Sequence, residues 1–154
     1  MTTADAHLHD PLLTACRDLS RAMDMFDETA AAVLGVGRSD LRALNLLEHG
    51  PLGATALADQ LGLTRPAITS LVDRLVRAGL VARVVVPGDR RATAVELQPA
   101  TWQAFARVYR PLGERVHAAG AQLPDCDAVA AALAVLTSAF RDARTHLAAG
   151  VTPP

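Results

Sequence analysis

The sequence predicts a mainly α-helical chain with one small β-hairpin, and three observations support this prediction. First, residues 54–73 read as two short helices around a glycine, in the order ATALADQLGLTRPAITSLVD. Second, a β-branched run follows them and turns back at Pro87-Gly88. Third, apolar residues recur at steps of three and four near both ends of the chain, the spacing of helices that pack along other helices. We therefore expect a central lobe between long terminal helices.

The elements before the central pattern are predicted from periodicity and glycine positions. A long helix is expected over residues 8–34, and a short helix follows Gly37. Ser39 and Asp40 are expected to form the cap and first turn of the short helix, because their side chains favour a helix N-terminus. Leu52-Gly53 is expected to add a short strand to the hairpin.

Residues 54–73 have the pattern of a helix-turn-helix, in which Gly62 suits a turn that needs a positive φ. The second helix turns Ile68, Leu71 and Leu75 inward, so hydroxyls and arginines face outward. Such a face can enter a DNA major groove, because hydroxyls and guanidinium groups bind base edges and phosphates. The alternative is an ordinary solvated helix. The predicted DNA contacts on this helix are Thr64, Arg65, Pro66, Thr69, Ser70, Arg74 and Arg77.

A hairpin, or wing, is predicted directly after this helix. Residues 81–86 form its first strand, Pro87-Gly88-Asp89 its turn, and residues 93–97 its second strand. The tip carries Arg90 and Arg91, which join the predicted DNA contacts. The central lobe, residues 38–98, is therefore predicted to be a winged helix-turn-helix.

Charge is segregated along the chain although the net charge is only -1. Residues 1–64 hold four arginines against nine carboxylates, whereas residues 65–91 hold six arginines against two. The positive potential is concentrated where DNA would dock.

Helices are also predicted over residues 99–148, with residues 149–154 as a frayed tail. The last of them, from Cys126, carries a seam of Val129, Leu133, Leu136 and Phe140. The apolar seams exceed what one small lobe can bury. We therefore expect a homodimer through residues 8–34 and 99–148, whose two-fold symmetry presents two recognition helices to one duplex.

The run LADQLGLTRPAITSLVDRLVRAGLV, followed by DRR in the wing, resembles the MarR (multiple antibiotic resistance regulator) family of bacterial transcription factors, and the order of elements is similar across nearly the full chain. The resemblance implies that Arg91 enters the minor groove and that Asp89 orients it through an ion pair. It also implies a homodimeric repressor, less often an activator, that a small apolar or phenolic effector releases from a pseudo-palindromic operator.

The effector site is predicted from apolar residues on the two long helices, with dimer core as the alternative role for each. They are Met23, Phe26, Trp102, Phe105 and Tyr109. Oxidant sensing through Cys16 is a second hypothesis, against core packing of the same thiol. The five histidines are scattered, so no metal or other cofactor is expected.

Other classes of function find little support in the sequence. It has no GxSxG motif and no phosphate loop that ends in Lys-Ser or Lys-Thr, so an enzyme is not predicted. A winged helix used for protein contacts would replace the outward arginines with acidic or apolar residues. No apolar stretch reaches the roughly 20 residues that span a bilayer, and the N-terminus is unlike a secretory signal, so a cytoplasmic protein is expected.

Overall fold

The computed structural model describes residues 10–86 and 89–150, and of residues 89–91 it describes the backbone. The fold is mainly helical with a small antiparallel sheet, as predicted. In chain order the elements are α1 (Pro11–Leu34), α2 (Arg38–Leu47), β1 (Leu52–Gly53), α3 (Ala54–Leu61), α4 (Arg65–Arg77), β2 (Val81–Val86), β3 (Asp89–Leu97), α5 (Pro99–Gly120) and α6 (Cys126–Gly150).

The long helices differ slightly from their predicted limits. Helix α1 begins at Pro11 instead of residue 8, because Asp10 is in an extended conformation and its carboxylate accepts hydrogen bonds from the Leu12 and Leu13 amides at 2.8 and 3.0 Å. Helix α6 continues to Gly150, so the predicted tail begins too early. Residues 1–9, with His7 and His9, and residues 151–154 lie outside the described residues.

The start of helix α2 corrects a prediction about its cap. Gly37 is the N-cap and makes no side-chain hydrogen bond, so Ser39 does not cap the helix. Asp40 does lie in the first turn, but it is buried, with 7% of its surface exposed. A buried carboxylate requires a partner, and that partner belongs to the site described below.

The sheet has the strand order β1-β3-β2, with both pairs antiparallel. Val81 pairs with Leu97 at the base of the hairpin, and Leu52 of β1 pairs with Val95. The predicted extra strand at Leu52-Gly53 is therefore confirmed. Strand β3 begins earlier than the predicted residue 93, and the register slips between Val85 and Val86. The predicted turn residues Pro87 and Gly88 lie outside the described residues.

Packing divides the chain into two compact units, Met1–Tyr109 and Arg110–Pro154. In the first unit, one apolar core joins helices α2, α3 and α4 to the sheet, and Ala30, Ala31 and Phe105 extend it onto α1 and α5. The boundary between the units therefore lies within α5. The sequence instead grouped all of residues 8–34 and 99–148 as dimerisation helices, and that grouping stays a prediction.

Candidate nucleic-acid interface

Helices α3 and α4 are joined by residues 62–64, and each of these residues suits its place. Gly62 adopts a φ of 68° and closes α3, donating its backbone N–H to carbonyls of the last turn. Thr64 caps α4, where its hydroxyl oxygen accepts a hydrogen bond from the Ala67 amide at 3.4 Å. Pro66 lies in the first turn of α4, where a missing amide hydrogen costs little. The helix-turn-helix geometry is thus set by local sequence.

Helix α4 has one buried and one exposed face. Ile68, Leu71, Val72 and Leu75 are at most 3% exposed and anchor it in the core. All seven residues predicted to face outward from the α4 region are exposed, namely Thr64, Arg65, Pro66, Thr69, Ser70, Arg74 and Arg77. Their role as DNA contacts stays a prediction.

The three hydroxyls on this face have different bonding. Thr64 accepts from its own helix, and the Thr69 hydroxyl donates to the Arg65 carbonyl at 2.9 Å. Within the described part of the chain, the Ser70 hydroxyl makes no hydrogen bond. Ser70 therefore has its full bonding capacity left for another molecule, whereas Thr69 retains only its acceptor positions.

Arg74 is held by a partner that the sequence did not suggest. Its Nε lies 3.2 and 3.1 Å from the two carboxylate oxygens of Asp40, and its Nη2 lies 2.5 Å from Oδ1. The Asp40 side chain is 10% exposed and that of Arg74 is 51% exposed. The hydrogen bond and the charge of Asp40 both raise the pKa of Arg74 above its ordinary value.

A sequence signal for this pair exists in the period of helix α2. Asp40 lies four residues before Leu44 and seven before Leu47, so it shares their buried face. A carboxylate on a buried face needs a cation, because an unpaired buried acceptor costs about 1–3 kcal/mol or more. The helical period could thus have indicated that an arginine would pair with Asp40, but not which one.

A second ion pair joins α4 to the wing. Arg83 of β2 donates from Nη2 to Oδ1 of Asp73 at 2.6 Å, and both side chains are nearly half exposed. Exposed pairs of this kind contribute about 0–1 kcal/mol. Helix α4 is therefore linked to elements on two sides, by one partly buried ion pair and one exposed ion pair.

The wing residues predicted to contact DNA lie at its tip. Strand β3 begins at Asp89, whose backbone pairs with Val86. The side chains of Asp89, Arg90 and Arg91 lie outside the described residues. Their predicted contacts and the predicted ion pair between Asp89 and Arg91 are thus untested.

Of the five residues predicted to line an effector site, one lines a groove that the structure describes. An open groove of about 530 Å³ lies between α1 and α5, and of the five only Phe26 lines it. Phe105 is 2% exposed and belongs to the core, while Met23 and Trp102 are 60% and 42% exposed. The lining residues are Phe26, Thr29, Ala30, Val33, Leu34, Ala104, Arg107 and Val108.

Tyr109 organises an aromatic cluster beside this groove. Its ring stacks on Phe105 at 5.2 Å between centroids and meets Phe26 edge-on at 5.4 Å. Its hydroxyl donates toward Asn45 Oδ1 at 3.1 Å and lies 3.5 Å from Asp27 Oδ1. Burial raises the pKa of Tyr109 above its ordinary value. This phenol therefore stays protonated and links α5 to α1 and α2.

Oxidant sensing through Cys16 stays a hypothesis. Cys16 is half-buried and Cys126 is exposed, and both are free thiols. Among the described residues, no group of three His, Cys, Asp or Glu side chains could hold a metal ion. No helix within residues 10–86 and 89–150 is long and apolar enough to cross a membrane.

The exposed second helix of the helix-turn-helix and the hairpin that follows it define the chain as a winged helix-turn-helix protein. A sequence model of the MarR family matches residues 34–92. The uncharacterized HTH-type transcriptional regulator YcgE of Bacillus subtilis is 37% identical over 99 residues, which are 64% of each chain. The matched stretch is thus just under two thirds of that relative's length. The chain is therefore similar to MarR-family regulators over residues 34–92.

Solved structures extend the likeness beyond the central lobe. RV1404 from Mycobacterium tuberculosis is 27% identical with a TM-score of 0.63, over 91% of this chain and 95% of that one. A mutant of MepR from S. aureus, bound to an oligodeoxyribonucleotide, has a TM-score of 0.55 at 19% identity, over 84% of this chain and 97% of that one. The fold of this chain is therefore similar to theirs along most of its length.

Proposed function

We propose that this chain is a DNA-binding transcriptional regulator that contacts the major groove with α4 and the minor groove with the wing. The observation that carries the proposal is the exposed face of α4, on which hydroxyls and arginines alternate beside an antiparallel hairpin. Because guanidinium groups bind phosphates and guanine edges, this face suits a duplex better than a protein partner. Such a regulator would work in the cytoplasm, where bacterial DNA is. The same fold occurs in the MepR mutant bound to an oligodeoxyribonucleotide.

The expected roles differ along the interface. Arg65 and Arg77 are proposed as contacts to phosphate or guanine, Ser70 as a donor to a base edge, and Arg90 as a phosphate contact. Thr64, Pro66 and Thr69 would pack against the groove, since the Thr64 and Thr69 hydroxyls already bond within α4. Arg91 would enter the minor groove, where the narrow cleft concentrates negative potential.

The active form is proposed to be a homodimer. None of the residues of α6, all of which the structure describes, is buried, and the exposed large apolar residues there include Leu133, Phe140 and Leu147. Apolar surface of this extent is typical of an interface. A two-fold dimer would present two copies of α4 to successive turns of one duplex.

We also propose that the regulator is a repressor and that a small effector releases it from DNA. The groove between α1 and α5 is lined mainly by apolar side chains, with Arg107 and Thr29 as polar members. Such a lining suits a small apolar or phenolic compound that carries one acidic or hydroxyl group. We propose that this groove, which includes Phe26 of the five residues expected from the sequence, receives the effector.

The test is DNA binding by the full chain to a pool of genomic duplexes at two salt concentrations. We expect binding whose logarithm falls steeply with the logarithm of salt concentration. Arg65→Gln and Arg77→Gln should each weaken binding and reduce that slope by about 1.8, the contribution of one phosphate contact from each protomer of the proposed dimer. Arg21→Gln on α1 is the charge-matched control and should bind as the wild type does. No binding at low salt would contradict the proposal and favour a protein-interaction module.

A separate prediction concerns the effect of the wing on DNA affinity. Arg91→Ala should weaken binding to the selected duplex by about 1–3 kcal/mol, because an arginine at the base edges would be lost while the dimer stays intact. Fluorescence anisotropy with a labelled duplex measures this loss, and sedimentation measures the dimer. Arg90→Ala should have a smaller effect. Unchanged affinity of Arg91→Ala would remove the wing from the mechanism.

A further inference from the structure

Arg74 lies on the exposed face of the recognition helix, yet its guanidinium group is already committed to another helix. Three N–H to oxygen contacts, between 2.5 and 3.2 Å, tie it to both carboxylate oxygens of Asp40 on α2. Because the guanidinium group donates from Nε and one terminal nitrogen to the carboxylate, the direction of the Arg74 side chain is fixed as well as its distance from Asp40. The side chain of Asp40 is 10% exposed, so little of its carboxylate is open to water while Arg74 is in place.

Releasing Arg74 to a DNA phosphate would therefore leave a buried carboxylate without its cation. That loss opposes the gain from one phosphate contact, which is largely exposed to salt and solvent. Arg77, in contrast, is exposed on the next turn of the same helix. Arg77 can contact a phosphate without breaking an ion pair to a buried carboxylate.

Helix α4 also needs a directional contact. Its other anchors in the core are Ile68, Leu71, Val72 and Leu75, which set the buried face of the helix but are non-directional contacts that leave its fine orientation to polar bonds. The ion pair between Arg74 and both carboxylate oxygens of Asp40 supplies this directional contact between α2 and α4.

We infer that Arg74 is a positioning residue, which Asp40 holds so that α4 meets DNA at a fixed angle, and that it does not itself neutralise a phosphate. The inference rests on the proposed DNA binding and corrects the role that the sequence suggested for Arg74. It assigns Asp40, which lies outside the predicted interface, to the same machinery.

The salt dependence of DNA binding distinguishes a positioning role from a phosphate contact. Asp40→Asn and Arg74→Gln should each weaken binding about tenfold with the wild-type salt slope, and the double variant should lose no more than either single variant. Asn is isosteric with Asp but offers only one acceptor oxygen to the guanidinium group of Arg74. Arg77→Gln, by comparison, should weaken binding with a slope lower by about 1.8, because the proposed dimer loses one phosphate contact in each protomer. Asp18→Asn on α1 makes the same charge change at an exposed site and should bind normally.

Arg74→Lys is a milder variant for the case in which the others fail to fold. Lysine keeps the positive charge and can reach a phosphate, but it lacks the planar pair of N–H donors that binds both carboxylate oxygens. It should bind roughly threefold to tenfold more weakly. The active fraction, from stoichiometric titration, and the circular dichroism spectrum ensure that affinity refers to folded protein. The inference is overturned if Asp40→Asn or Arg74→Lys binds as the wild type does, or if Arg74→Gln lowers the salt slope. If the wild type binds no DNA, the proposed function itself fails.

Discussion

Leu133→Arg or Phe140→Arg in helix α6 is expected to convert the proposed homodimer into monomers. The two side chains are 44% and 52% exposed in one protomer, on a helix without a buried residue among those described. Burying a large apolar side chain contributes about 1.5–3 kcal/mol. About half of each side chain is left to bury in the interface, and two-fold symmetry places each substitution there twice, so the dimer should lose about 1.5–3 kcal/mol. The dissociation constant of the dimer should rise roughly 10- to 10²-fold.

Sedimentation equilibrium across a dilution series measures this change. Ser138→Arg introduces the same charge off the apolar seam and should leave the dimer intact. Circular dichroism should remain that of a folded helical protein in all three variants, since none of these side chains is buried in the protomer. A wild-type chain that stays monomeric, or a dimer unaffected by both seam variants, would contradict the proposed homodimer.

Phe105→Ala should cause the largest loss of folding stability, about 3–5 kcal/mol. Phe105 is 2% exposed and joins α5 to the core of the first unit. Its ring also stacks on Tyr109, so the alanine variant leaves a cavity and removes the support for the bond between Tyr109 and Asn45. Urea unfolding at one protein concentration measures the loss.

Phe105→Leu is the matched control for this cavity. Leucine retains much of the side-chain volume, so the loss should fall to roughly 1–2 kcal/mol. Tyr109→Phe, which removes only the hydroxyl group, should lose about 1 kcal/mol. A Phe105→Ala variant as stable as the wild type would show that α5 is not anchored in the core by this ring.

The sequence predicts helix α4 well because the signals there are local. Ile68, Leu71 and Leu75 repeat at the helical period and are buried, and the residues between them are exposed. Gly62 lies at a φ of 68° and Thr64 caps the helix, as the types of these residues favour. These features depend on contacts within a few residues, so the order of amino acids carries them directly.

By itself, then, the sequence determined the helix-turn-helix, its outward face, the wing and the family resemblance. Only the tertiary structure decided which arginine on that face has a partner, since Asp40 and Arg74 are 34 positions apart. It also placed Phe105 in the core and left Met23 and Trp102 exposed, although all three fit the same apolar spacing. The physical reason is that periodicity selects a face of a helix, whereas the neighbour that covers this face is set by packing between distant segments.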